Sequence, residues 1–177
     1  TPAKDLFASM GRLIPENITF ENFSRVWNEL PMNRWYINSV IVATLYTIGH
    51  LFHASLAGYA LACTNFPGRN IVLIVAISSL MIPFHVVMVP MFTLMRDLGW
   101  LDTLYPLFVP SYFGELTSAF AIFLFRQAFL GIPKELKEAG IVDGCNHWQV
   151  FRKIYLPLSG QYVAIVAVFS FMWAWND

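Results

Sequence analysis

Charge is what this chain has least of. Only 12% of its 177 residues are Asp, Glu, Lys or Arg, where a soluble domain carries roughly 25%. None of these residues occurs in 35–68, 70–95 or 154–176, and 103–125 contains Glu115 alone. Four such runs in one small chain exclude an ordinary soluble domain, whose core helices are interrupted by charge. Cysteine is also scarce. Cys63 and Cys145 have no metal-ligand spacing and are expected on the same reducing side, which excludes a disulfide scaffold and a thiolate metal centre and leaves two free thiols. With eleven basic and eleven acidic residues and no basic cluster interleaved with aromatics, a nucleic-acid surface is excluded as well. No Gly-rich phosphate loop or nucleophile motif is found, so the chain has no means of handling ATP by itself.

What remains is apolar: 57% hydrophobic residues and a mean hydropathy of +0.56. A bilayer-crossing helix needs about 20 mostly apolar residues, and each run supplies them. The sequence therefore predicts an all-α polytopic membrane protein with spans at about 36–62, 70–95, 103–129 and 158–177. Residues 1–34 form an extracytoplasmic segment with Pro2, Pro15 and Pro31 as breakers. From Thr19 the spacing of Phe20, Phe23, Trp27 and Leu30 predicts a short helix with one greasy face, suited to lying flat at the membrane interface. Asn17-Ile18-Thr19 matches a glycosylation sequon too common by chance to carry weight. Bends are expected in the second span at Pro83 and Pro90, and breaks in the third at Pro110 and Gly114.

Orientation follows from the basic residues. Arg69, Arg126, Lys134, Lys137, Arg152 and Lys153 fall on one side, and Arg96 with Lys4, Arg12, Arg25 and Arg34 on the other. The crowding from Arg126 onward makes the loop 131–157 cytoplasmic. That loop holds the most polar stretch of the chain, KELKEAGIVDGCNHWQVFRKIYLPL, Lys134 to Leu158. Pro133 suits the first turn of a helix over Lys134–Ile141, which Asp143-Gly144 breaks. Asn146 with Gln149 in capping-box position starts a second helix, running to Leu156 before Pro157. A hairpin this short cannot build a core, so Ile141, Val142, Trp148, Phe151 and Ile154 must be buried against something else, with a partner protein as the natural candidate.

Glu138-Ala139-Gly140, Asp143-Gly144, Trp148-Gln149, Phe151, Ile154 and Leu156-Pro157-Leu158 resemble the EAA loop of permease subunits in binding-protein-dependent ABC importers. Asn38-Ser39, Gly58-Tyr59-Ala60, Phe66-Pro67-Gly68-Arg69, Met81-Ile82-Pro83, Phe125-Arg126-Gln127 and Trp175-Asn176-Asp177 extend the resemblance over nearly the whole chain. They are similar to the carbohydrate-uptake branch, including the maltose and glycerol-3-phosphate permease subunits. Gly140 stands where the family usually has Ala, at about 1 kcal/mol of helix propensity. Cys145 replaces another frequent Ala, and Gln161 a frequent Pro.

The resemblance implies a multi-pass permease subunit of the bacterial inner membrane that forms half the path for a sugar or sugar-like solute. It is not itself an enzyme and holds no cofactor, ATP being bound by two cytoplasmic ATPase subunits. A second permease and an extracytoplasmic solute-binding protein complete the assembly in the lipid bilayer. The implied docking residues are Glu138, Ala139, Gly140, Asp143, Gly144, Trp148, Phe151 and Pro157. It further implies six spans, so this chain is expected to be a fragment with the first and last missing.

Glu115 is the one charge inside a span, and such residues mark a pathway or face a cavity; the outer interface is the other place for it. His53 and His85 join it as candidate path residues. His50 and His53, three apart, share a helix face. A metal site could be drawn from these histidines, but no carboxylate or thiol stands at a spacing that completes it. The rival readings are an ion or metal channel built on His50, His53 and Glu115, and an intramembrane metal-dependent enzyme using the same groups.

Overall fold

The computed structural model describes residues 20–115 and 118–176. Pro2, Lys4, Arg12, Pro15, the Asn17-Ile18-Thr19 triplet and Asp177 lie outside the described residues. Two compact units divide the chain, residues 1–39 and 40–177. Among the described residues every regular element is helical.

In the first unit α1 runs Glu21–Glu29. Phe20, Phe23, Trp27 and Leu30 stand exposed along one stripe, while Arg25 pairs with Glu29 at 3.7 Å on the opposite side, as the apolar spacing predicted. The helix stops at Leu30, which is extended (φ −114°, ψ 149°) because the ring of Pro31 disfavours a helical residue before it.

The long helix α2, Met32–Cys63, has 32 residues and so extends about 48 Å. Among the described residues it is the one helix long and apolar enough to cross a membrane unaided. Gly68, at φ +81°, then turns the chain into α3, Arg69–Ser79. A break at residues 80–83 separates α3 from α4, Phe84–Asp97, and the two are bent by 100°. The break forms because Leu80, Met81 and Ile82 tighten onto the carbonyls three residues back and Pro83 has no donor to continue the ladder. Pro90 stays inside α4 without ending it, a loss that membrane helices tolerate.

The span expected over 103–129 divides where its breaks were expected, around Pro110 and Gly114. A short helix α5, Tyr105–Phe108, passes into a 3-10 turn, Val109–Tyr112, and Gly114 takes a left-handed φ of +91° before α6, Ser118–Leu130. Pro106 and Pro110 each remove a donor, which limits both pieces to a single turn. The 13 residues of α6 cover about 20 Å, short of the ~30 Å hydrocarbon layer. After a polar hairpin of α7 (Lys134–Val142), α8 (His147–Val150), one π-helical turn (Phe151–Tyr155) and α9 (Leu156–Leu158) comes α10, Gly160–Trp175. The segment 147–158 meets α10 at 81°. By length and composition the described helices supply one span, or up to three if each bent pair is one, where four spans, two of them bent or broken, were expected.

The core is built by α2 (Ala54, Tyr59, Leu61), α6 (Ala121, Ile122, Phe125, Phe129), the hairpin (Val150, Phe151, Tyr155) and Val166 of α10. Gly58 lets α2 and α6 approach: a Cβ there would lie 2.6 Å from Phe125 Cβ and 3.0 Å from the Arg126 backbone nitrogen. Small residues at such crossings are how apolar helices reach close packing.

Candidate coupling hairpin and membrane cavities

The hairpin is set by local chemistry. Pro133 (φ −55°, ψ 134°) precedes α7 as its cap residue, one position before the expected first turn. At the other end the Gly144 N–H donates to Ile141 O at 3.0 Å and the Cys145 N–H to Gly140 O at 2.9 Å, a Schellman closure. Gly144 sits at φ +84° with nothing near an added Cβ, so backbone conformation alone demands glycine there. The Asn146 side chain accepts from the Gln149 N–H at 2.9 Å, and the Gln149 side chain accepts from the Asn146 N–H at 2.8 Å. Both orphan donors of the new helix start are thereby satisfied. Pro157 cannot donate to the Lys153 carbonyl, and the widened π turn lies immediately before it.

The structure divides the sequence-predicted docking residues between two faces. Glu138, Ala139, Asp143, Gly144, Trp148 and Pro157 are exposed, whereas Gly140 and Phe151 are buried in the chain's own interior. Ile141 and Val142 also stand out, Val142 at 86% exposure. Of the five apolar residues expected to seek an outside partner, Phe151 and Ile154 are therefore satisfied at home. A Cβ on Gly140 would meet Ile154 Cδ1 at 2.8 Å and Val150 Cγ2 at 3.5 Å. Gly140, one of the three departures from the family pattern, is thus the point where α7 presses on the second half of the hairpin.

Aromatic rings fix that second half. Tyr155 lies edge-on to Tyr59 at 5.3 Å and to Phe129 at 5.7 Å; Phe151 meets Tyr59 at 5.3 Å and Phe129 at 6.4 Å. Tilted and edge-on pairs at these separations are favourable beyond area burial alone. The Lys137 ammonium of α7 donates to the Cys63 carbonyl, the last of α2. Sequence reasoning missed Tyr59, Phe129, Tyr155 and Lys137 as anchors. The usable signal was Gly58-Tyr59-Ala60, a small residue beside an aromatic in an apolar helix.

Deeper in the membrane helices two cavities open. The Tyr46 hydroxyl donates to Glu115 Oε1, and the Ser111 hydroxyl lies 3.1 Å from the Tyr46 carbonyl, so the segment after α5 is pinned to α2. His53 packs against Gly114, where a Cβ would lie 2.7 Å from Nε2. His53, Ser79, Phe113, Glu115 and Ser118 line a cavity of about 190 Å³. A second, of about 350 Å³, is lined by Tyr46, His50, Phe120, Phe169, Ser170 and Trp173 among others. His50 Nδ1 lies 2.7 Å from Ser170 Oγ, whose own proton goes to the Val166 carbonyl at 2.7 Å, so His50 is the donor. Hydroxyls, an imidazole and aromatic faces converging on an apolar hollow can hold a polar solute that also has apolar faces.

The path candidates are therefore only partly united. Glu115 and His53 share one cavity, His50 lines the other, and His85 stands exposed past the Pro83 break, beside Phe84 at 6.3 Å. Among the described residues no three His, Cys, Asp or Glu side chains come together in a way that could hold a metal ion, and nothing favours the channel reading.

Comparison with known proteins agrees with this geometry. The chain is 36% identical over 164 residues to the arabinooligosaccharides transport system permease protein of Halalkalibacterium halodurans, covering 92% of this chain and 57% of that protein. It is 33% identical over 178 residues to the sn-glycerol-3-phosphate transport system permease protein of Yersinia pestis, covering 97% and 62%. It thus spans little more than half the length of these relatives. The solved structure of a bacterial ABC transporter involved in the import of the acidic polysaccharide alginate superposes with a TM-score of 0.79 at 28% identity, over 93% of this chain and 56% of that one. Residues 54–177, which include the entire hairpin, match the family model of the binding-protein-dependent transport system inner membrane component, and the chain belongs to that family of membrane transport components.

Proposed function

We propose that this chain is the membrane-embedded, multi-pass part of an ABC importer permease in a bacterial inner membrane. Its solute is a sugar or sugar-like molecule. It works beside a second permease subunit, two cytoplasmic ATPase subunits that bind and hydrolyse ATP, and an extracytoplasmic solute-binding protein. The hairpin α7–α9 docks in a groove of an ATPase subunit and passes its movement to the membrane helices. Glu138 offers charge to a basic groove residue, Ala139 allows close approach, and Ile141, Val142 and Trp148 supply apolar contact. Phe151 and Gly140 brace the hairpin from inside. The solute passes along the cavities at Glu115, His53, His50 and Ser170.

The observation that carries this reading is the two-faced hairpin: one face locked into the chain's core, the other presenting Glu138, Ile141, Val142 and Trp148 to the outside. An apolar, charged-rimmed exposed face is what a protein interface needs. The substrate class is supported by the relatives, whose names concern arabinooligosaccharides, alpha-glucosides and lactose.

The test is uptake and ATPase copurification in the assembled transporter. Glu138→Lys places a like charge in the groove and is expected to lower both by about tenfold or more. Gly144→Asp, which strains the left-handed turn, is expected to act in the same direction. Glu115→Gln keeps an acceptor for Tyr46 while removing the charge, and is expected to lower flux severalfold with the ATPase still bound. Unchanged uptake in both hairpin variants would refute the docking role.

A further inference from the structure

Cys63 ends α2, so its carbonyl has no partner within the helix. Its neighbours are served locally: Thr64 Oγ1 donates to the Ala60 carbonyl at 2.6 Å, and Arg69 Nη1 to the Thr64 carbonyl at 3.3 Å. The Cys63 carbonyl is instead capped from another element, by the half-buried Lys137 of α7. A cation at a helix C-terminus also meets the negative end of the helix dipole. The hairpin's side-chain hydrogen bond to α2 thus ends on Cys63.

What lies up α2 gives this point its consequence. His53, His50 and Tyr46 follow on the same unbroken helix, about 15 to 25 Å away along its axis. They line the two cavities, and Tyr46 holds Glu115. Helix α2 carries no proline, and its glycines Gly49 and Gly58 are closely packed against Tyr112 and Phe125, which leaves little room to flex. A displacement applied at Cys63 therefore reaches Tyr46 and His50 as rigid-body motion. The second half of the hairpin is fixed to both α2 and α6 by its rings, but α7, which holds Glu138, reaches α2 through Lys137.

We infer that Lys137 is a positioning residue for transport: its bond to the Cys63 carbonyl transmits movement of α7 to α2 and so to both cavities. This rests on the importer reading above. Glu138, one residue on, faces outward, so the tie and the docking contact sit back to back on one turn of α7.

Two measurements on Lys137→Met and Lys137→Arg test it, in full-length protein assembled with its partners and in a Cys145→Ser background. The first is the rate at which a membrane-permeant maleimide labels Cys63. The second is the number of solute molecules moved per ATP hydrolysed. In Lys137→Met labelling should rise, and the transport-to-hydrolysis ratio should fall by roughly threefold to tenfold, the size of a coupling contact between distant sites. Lys137→Arg should restore both, since it keeps the donor. An unchanged ratio, or transport and hydrolysis falling in proportion, overturns the proposal, as does unchanged labelling. A wild-type assembly without ATP-driven transport overturns the importer reading and this proposal with it; an active wild type with an unaltered ratio in Lys137→Met overturns this proposal alone.

Discussion

The two halves of the hairpin are held by different physics. The second, α8 through α9, buries Val150, Phe151 and Tyr155 in a cluster of rings from α2 and α6. The first, α7, buries only Gly140 and is otherwise tied by Lys137, with Ile141 and Val142 left open. Burial of aromatic area is strong and non-directional, whereas one glycine contact and one hydrogen bond are weak but geometrically specific. The contrast teaches that a transmitting element need not be uniformly rigid: one half is welded to the membrane core, and the other is free to present a surface.

Three substitutions sharpen that contrast, in falling order of effect. Phe151→Ala removes a ring packed on Tyr59 and Phe129 and should cost about 3–5 kcal/mol, read as a lowered unfolding midpoint of the purified protein in detergent; a loss no larger than that of a surface change would place the anchor elsewhere. Asn146→Ala abolishes one half of the capping box at the junction between the halves and should cost about 1 kcal/mol, with Asn146→Ser or Asn146→Asp recovering most of it in the same assay. Val142→Ser, on the open face, should leave stability within about 0.5 kcal/mol of wild type while reducing retention of the ATPase subunits on copurification. If Val142→Ser destabilised the isolated chain as Phe151→Ala does, the two faces would not differ as described.

Much of this was legible residue by residue. The hairpin's limits followed from Pro133, Asp143-Gly144, Asn146 with Gln149, and Pro157, because caps and breakers act within four or five residues of chain. The amphipathic α1 was legible for the same reason, as was the bend at Pro83. In the third expected span the breaks at Pro110 and Gly114 were legible, but not their extent: together with Pro106 they leave no uninterrupted helix before Ser118. Nor was the fate of Phe151 and Gly140. A buried ring and a glycine at a helix crossing look the same in sequence as an exposed ring and a weak helix former.

The sequence by itself determined that the chain is helical, membrane-bound and equipped with a polar hairpin of defined limits, since apolar run length and capping are local quantities. Only the tertiary structure decided which hairpin face turns inward. It also decided that Tyr46 meets Glu115 across 69 residues and that His50 meets Ser170 across 120. It divided His50 and His53 between two cavities and brought Lys137 to the end of α2. Contacts at such separations depend on how helices rotate and cross, which is fixed by packing of whole faces and leaves no short-range mark along the chain.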